Sequence, residues 1–218
     1  TPEELRVILF FANPFAHPTV MMNRSLFIKH HLEYDTNFAV AQDYDLWERA
    51  SRKMKLLKLP DVLLQYRMHP KNVTSRHKDI VLPLLYQVYS RMLQHIGLNA
   101  TEDDLKLHHQ IASRNRLASF EEILKAENWL LNIQDKAFTA QVYDNEALMR
   151  VLGYFWFELT RNCGNLGIAS FMKYRTSRLR RWYFPGIQDL TTYFLSCLWY
   201  QLLSQYKKNN KIPWHRPN

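Results

Sequence analysis

Ala41 to Ala50, AQDYDLWERA, carries two carboxylates, Asp43 and Asp45, immediately ahead of an apolar stripe of Leu46, Trp47 and Ala50. Three chemistries fit that pattern. One acid can cap the free amides of a helix start. Both together can bind a hard divalent cation alongside phosphate oxygens. Alternatively, one can act as a general base, taking the proton of an acceptor hydroxyl as its oxygen attacks. A second cluster joins Tyr66, Arg67, Met68 and His69 to Asn72 and Ser75. On a strand, Arg67 and His69 share one face, which suits a phosphate held by the guanidinium or a metal held by the imidazole. A solvated strand end fits the same residues. His17, in a loop stiffened by Pro14 and Pro18, is the third candidate, able to orient a ligand or simply to be satisfied by backbone. No nucleophile motif accompanies a Ser-His-Asp or Cys-His set, and five scattered glycines cannot build a phosphate-cradling loop.

The segments carrying these groups have two textures. Val7 to Phe11 reads as a short buried strand or a helix end, and so short a run has no period to decide between them. Asn13 to Pro18 is expected as an extended loop, Thr19 to Met22 as a strand, and Asn23 with Ser25 as the opening of a short helix through His30. Glu33 to Ala39 is loop-like. Asp43 is expected at the N-cap of a helix running to Lys53. Met54 to Leu59 and Val62 to Met68 are expected as two strands broken at Pro60 and Asp61. Beyond His69 and Pro70 the pattern turns helical. One helix opens at Asp79 and stops at Gly97; two more start from capping boxes, Thr101 with Asp104 and Ser119 with Glu122. A fourth carries a stripe of Leu148, Val151, Leu152, Phe155 and Leu159 and breaks between Gly164 and Gly167. A last helix runs from Ile187 to about Tyr206. The expected fold is an α/β portion over residues 1–75 followed by a mostly α-helical region over 76–218, predominantly helical overall.

With 47% hydrophobic residues among 218, the chain can bury a sizeable core, which excludes a disordered protein. Cys163 and Cys197 match no metal or redox spacing and are expected as buried thiols of a reduced, intracellular protein. No signal-peptide pattern opens the chain, and Thr1 is not a native start, so a processed protein or a piece of a longer one is expected. The net charge of +9 is concentrated at one end: residues 171–218 carry nine Lys and Arg against Asp189, leaving residues 1–170 near +1. There Lys173, Arg175, Arg178, Arg180 and Arg181 interleave with Tyr174, Trp182, Tyr183 and Phe184. Bases beside aromatics suit an anionic membrane surface; Leu190 to Leu203 is too short to span it and better suited to lie in the interface. Aromatics packed on the helical region, with the bases solvated, fit equally well. Nucleic acid ranks lower, because no groove-reading motif accompanies the patch. Glycosylation-type triplets at Asn23, Asn72 and Asn99 are read as chance.

Taken in order, NPFAHPTVMM from Asn13 to Met22, QDYDLWER from Gln42 to Arg49, and LQYRMH from Leu64 to His69 with Ser75 resemble the C-terminal half of a family 2 glycosyltransferase. The type resembled is inverting and uses nucleotide-diphospho-sugars; the resemblance covers about a third of the chain. It implies a GT-A, Rossmann-like fold whose nucleotide-binding half, with its own Asp-x-Asp metal site, precedes Thr1, so that this chain is expected to be inactive alone. It also implies Asp43 as the catalytic base, with Gln42 where the family usually has Glu. His17, Thr19, Asp45 and Trp47 fall on the acceptor side, and His69, with its neighbour Arg67, falls beside the diphosphate and its Mg²⁺ or Mn²⁺. The implied activity is sugar transfer from a nucleotide-diphospho-sugar to a glycan or lipid-linked acceptor in bacterial surface-polysaccharide synthesis. The implied location is cytoplasmic, peripheral on the inner face of the plasma membrane. The rival expectation is a non-catalytic helical interaction module or membrane-surface domain.

Overall fold

The structure, a computed structural model, describes residues 1–65, 67 and 78–210. Nine α-helices form among the described residues: α1 Pro2–Ile8, α2 Arg24–Lys29, α3 Gln42–Ser51, α4 Lys78–His95, α5 Glu102–Ala112, α6 Phe120–Ala140, α7 Asn145–Asn162, α8 Ile168–Thr176 and α9 Ile187–Asn209. Short 3-10 turns occupy His17–Thr19, Gly164–Leu166 and Arg178–Trp182.

No strand forms among the described residues, so the expected α/β portion, a piece of a GT-A Rossmann-like fold over residues 1–75, is corrected to helix and irregular chain. Of the two readings open for Val7 to Phe11, the helix end holds: Val7 and Ile8 close α1, which Thr1 opens with a complete capping box to Glu4. Thr19 ends a 3-10 turn, and Met21 beyond it is wholly exposed. Leu57, Leu59, Val62 and Leu63 lie on irregular, largely exposed chain. Extended backbone without a partner strand leaves its amides to water, so β-favouring side chains alone make no sheet. The end of the last expected strand, from Met68, lies outside the described residues.

The helical expectations fare better because their signals are periodic. Leu148, Val151, Leu152, Phe155 and Leu159 are all buried along α7. Thr101 and Asp104 exchange the two hydrogen bonds of a capping box, and Ser119 Oγ accepts from Glu122 N at 3.2 Å. Gly97, with φ +75°, follows α4 in the left-handed conformation that ends helices.

The chain forms two compact units, Thr1–His109 with Asp135–Leu148, and Gln110–Gln134 with Met149–Asn218. In the first, the core gathers around the turn that ends α1. Leu9, Phe10 and Phe11 are buried there, so carbonyls left over by the helix end cannot turn to water. Side chains from three later helices take them. Tyr44 Oη of α3 donates to Leu9 O, His108 Nε2 of α5 to Phe10 O at 2.6 Å, and Tyr89 Oη of α4 to Phe11 O at 3.4 Å.

That role fixes the proton of neutral His108 on Nε2, because a carbonyl needs a donor. Burial holds this imidazole well below its usual range, at about 4, against the raising effect of the Phe10 hydrogen bond. The unfolded chain takes up the proton near pH 6.5 and the folded chain only near 4. This group's contribution is therefore complete above about pH 6.5 and lost as pH falls toward 4. The expected loss is about 3 kcal/mol between those limits. His108→Gln, whose amide can still donate to Phe10 O, should flatten that part of the profile; denaturant unfolding at a series of pH values checks it. His95 and His109, also held low first of all by burial, act in the same direction and remain in both proteins.

In the second unit, Trp156, Leu179, Tyr193 and Cys197 are almost wholly buried. Ser170 Oγ gives its single proton to Thr160 O at 2.9 Å, so Tyr193 Oη is the donor in the 2.9 Å bond back to Ser170. This ties α7, α8 and α9 together. Leu117 N donates to Cys163 Sγ; burial pushes the Cys163 thiol up and that of Cys197 to about 11, the behaviour of structural rather than reactive thiols. Gly153 in α7 is a close-approach position. A Cβ there would lie 2.7 Å from Leu179 O and 2.8 Å from Tyr183 Cβ. Because one of these is backbone, Gly153→Ala must shift the Arg178–Trp182 turn; the expected cost is about 1–3 kcal/mol, read as a lowered melting temperature despite alanine's better helix propensity.

Candidate active site

The site is built on the first turn of α3. Ala41, the N-cap, sits in the left-handed region at φ 61° and ψ 18°, a conformation that costs a non-glycine residue about 1 kcal/mol or more. It turns the chain so that Gln42 and Asp43 open the helix. Asp43 is thus inside the first turn rather than at the N-cap, where its position in sequence had placed it.

Asp43 is half-buried. Its Oδ2 accepts from Asn13 Nδ2 at 2.9 Å and its Oδ1 from Tyr44 N at 2.9 Å. Asn13 is itself oriented: its Oδ1 accepts from Phe15 N at 3.0 Å, an Asx turn, which leaves the amide nitrogen to face the carboxylate. His17, exposed at the start of its 3-10 turn, shares a 2.9 Å hydrogen bond between Nε2 and Tyr34 Oη. Partial burial raises the Tyr34 phenol, and the negative charge of Asp43 raises it further. Two hydrogen-bonded pairs thus frame the site, Asn13 with Asp43 and His17 with Tyr34. Thr19, also exposed, donates its hydroxyl to Ala16 O at 2.7 Å.

Asp45 has a different fate. Its side chain has no exposed surface; Oδ2 accepts from Arg49 Nε at 3.0 Å and Nη2 at 2.6 Å, and Oδ1 from Arg91 Nη2 at 2.6 Å. Glu48, one turn on and equally buried, accepts from Arg52 Nε at 2.6 Å and Arg91 Nε at 2.9 Å. Burial works against the Arg91 charge, yet Glu48 and Asp45 hold its pKa above the ordinary guanidinium value. Trp47 is buried edge-on against Phe15 and Phe27, with ring centroids 6.3 and 6.5 Å away.

The structure thus joins His17 to Tyr34, whose phenol feels the charge of Asp43, places Thr19 on the turn that His17 begins, and packs Asp45 and Trp47 into the support of α3. Arg67 is exposed on irregular chain; His69, Tyr66 and Ser75 lie outside the described residues. Sequence reasoning missed Asn13 and Tyr34, and the network of Glu48, Arg49, Arg52 and Arg91. The Asn-Pro pair signalled a turn, and the four-residue spacing of Asp45 with Arg49 and of Glu48 with Arg52 signalled ion pairs. No local pattern pointed to Tyr34 or Arg91.

Among the described residues, no three His, Cys, Asp or Glu side chains converge as a metal ion requires. His69, expected beside the diphosphate and its Mg²⁺ or Mn²⁺, lies outside the described residues.

No family model matches the chain, and no solved structure matches it. A stretch of 67 residues, 31% of this chain, is 30% identical to an uncharacterized glycosyltransferase of Haemophilus influenzae. The match supports a relationship to glycosyltransferases. It covers 21% of that protein, so the chain spans about a fifth of the relative's length.

Proposed function

We propose that this chain supplies the acceptor side of an inverting, family 2-like glycosyltransferase that uses a nucleotide-diphospho-sugar donor, with Asp43 as the base. The observation that carries this reading is the half-buried Asp43 carboxylate, held by an oriented Asn13, with a charge that adds to burial in raising the pKa of the Tyr34 phenol to which His17 is hydrogen-bonded. A base must be fixed in direction yet reachable, and Asn13 fixes it without neutralising it. The strained Ala41 is consistent with a turn retained for function.

In the proposed reaction an acceptor sugar hydroxyl gives its proton to Asp43 as its oxygen bonds to the anomeric carbon of the donor. The bond from that carbon to the diphosphate breaks with its electron pair, inverting the centre. His17 and Thr19 contact acceptor hydroxyls, while Asp45 and Trp47 act by holding α3. Arg67 and His69 are assigned to the diphosphate. Because the match covers 21% of the relative, the reaction is proposed for these residues working with a donor-binding portion. The test is nucleoside diphosphate release from a panel of nucleotide sugars, with and without glycan or lipid-linked acceptors, by a polypeptide carrying both portions. Acceptor-dependent release is expected; none across the panel would overturn the assignment.

A further inference from the structure

The second unit holds two adjoining hollows. Arg175, Arg178, Arg180 and Arg181 line one of about 380 Å³ together with Ser177 and Phe184. Arg175, Arg180 and Phe184 also line the other, of about 370 Å³, whose wall continues through Tyr174, Tyr183 and Phe194. A cationic hollow therefore opens directly beside an aromatic one. Among the described residues no carboxylate pairs with these four guanidinium groups: Arg161 takes Glu158 and Asp189, and Lys173 takes Glu127. Arg180 Nη1 donates to the Arg175 carbonyl instead, at 3.3 Å. Four like charges within seven residues repel one another, and an external anion relieves that repulsion.

The surroundings indicate which anion. Helix α9 buries Tyr193 and Cys197 on one side, while Leu195, Trp199, Leu202 and Tyr206 on the other are more than half exposed. Phe184, which lines both hollows, and Ile187, the first residue of α9, are 83% and 82% exposed. Among the described residues no helix is long and apolar enough to cross a membrane, so this face has no spanning role. A free phosphate fills only the arginine hollow, and a nucleic acid, even one stacking a base in the aromatic hollow, leaves the apolar α9 face in water. An amphiphile with a phosphate at the end of an apolar chain satisfies all three.

We propose that the arginine hollow seats the phosphate of an anionic membrane lipid, that the aromatic hollow takes the adjoining part of its chain, and that the exposed face of α9 lies in the membrane interface. The aromatic tail thereby serves two purposes: Phe171, Tyr174 and Tyr193 belong to the core, whereas Trp182 and Phe184 face outward.

The 218-residue chain is sedimented with vesicles of phosphatidylcholine alone and with added phosphatidylglycerol. It should follow the anionic vesicles and stay behind with the neutral ones. The double variant Arg178→Gln with Arg181→Gln, both exposed positions, should lower partition onto anionic vesicles roughly thirtyfold, and Trp199→Ser should weaken it independently. Circular dichroism melting should be unchanged in both. Absence of vesicle binding, equal binding to both vesicle types, or undiminished binding by the double arginine variant overturns the proposal. So does displacement by inorganic phosphate, which assigns the hollow to a soluble anion, and so does binding of random duplex DNA in place of vesicles.

Discussion

Asp43→Asn should lower the rate of sugar transfer by roughly 10²- to 10⁴-fold, the usual contribution of a positioned general base, while leaving the KM for the nucleotide-sugar donor nearly unchanged. The asymmetry follows from where the proposed base acts. It handles the proton of the acceptor hydroxyl, so the donor loses no contact. The variant is not structurally silent, because both Asp43 oxygens accept hydrogen bonds, from Asn13 and from Tyr44. An amide has one acceptor oxygen, so one donor is left facing an NH₂ group, at a cost of about 1 kcal/mol. A loss of activity with a melting temperature lowered by only a few degrees is therefore the expected combination. Asp43→Glu keeps the charge but moves it beyond the reach of Asn13, and an intermediate rate is expected from misplacement alone. Transfer by Asp43→Asn at the unmodified rate would remove this carboxylate from the chemistry.

Arg91→Ala should destabilise the protein by about 3 kcal/mol, measured by denaturant unfolding. Arg91 reaches from α4 to both buried acids of α3, giving Nη2 to Asp45 and Nε to Glu48. Its removal leaves two carboxylate oxygens buried without a donor, and stranding part of a buried ionic network costs about 3–5 kcal/mol. The lower end applies because the Arg91 side chain is 33% exposed, so water can follow it in, and because Arg49 and Arg52 still hold the other oxygens. Adding Asp45→Asn and Glu48→Gln to Arg91→Ala should recover part of the loss, since the stranded charges are then gone. A change below about 1 kcal/mol in the single variant would place the network among ordinary surface ion pairs. Because Arg91 also anchors the helix that presents Asp43, some activity should be lost in proportion to the unfolded fraction, and stabilising conditions should restore it. Asp43→Asn should show no such recovery.

These outcomes bear on how far the chain could be read in advance. The later helices were legible because their signals repeat within a few residues: the Leu148 to Leu159 stripe, the Thr101 and Ser119 starts, and Gly97 after α4. The expected strands rested on short apolar runs, which carry no period. For Val7 to Phe11, open between strand and helix end, the helix end prevailed, and the carbonyls beyond it are taken by Tyr44, Tyr89 and His108, donors lying 35 to 98 residues away along the chain. The runs from Met54 onward found no partner strand among the described residues, and nothing within the runs themselves announces that.

The candidate site divides along the same line. Local spacing was enough to put Asp43 and Asp45 at the start of a helix, and helical geometry then requires them to point about 200° apart around its axis. One acid must therefore face away from whatever the other faces. Which one became the buried anchor depended on Arg91, 46 residues on, and which one stayed reachable depended on Asn13, 30 residues back. The helical period fixes relative direction within a few residues. Burial and partners come only from segments that the fold brings together, and no local pattern encodes them.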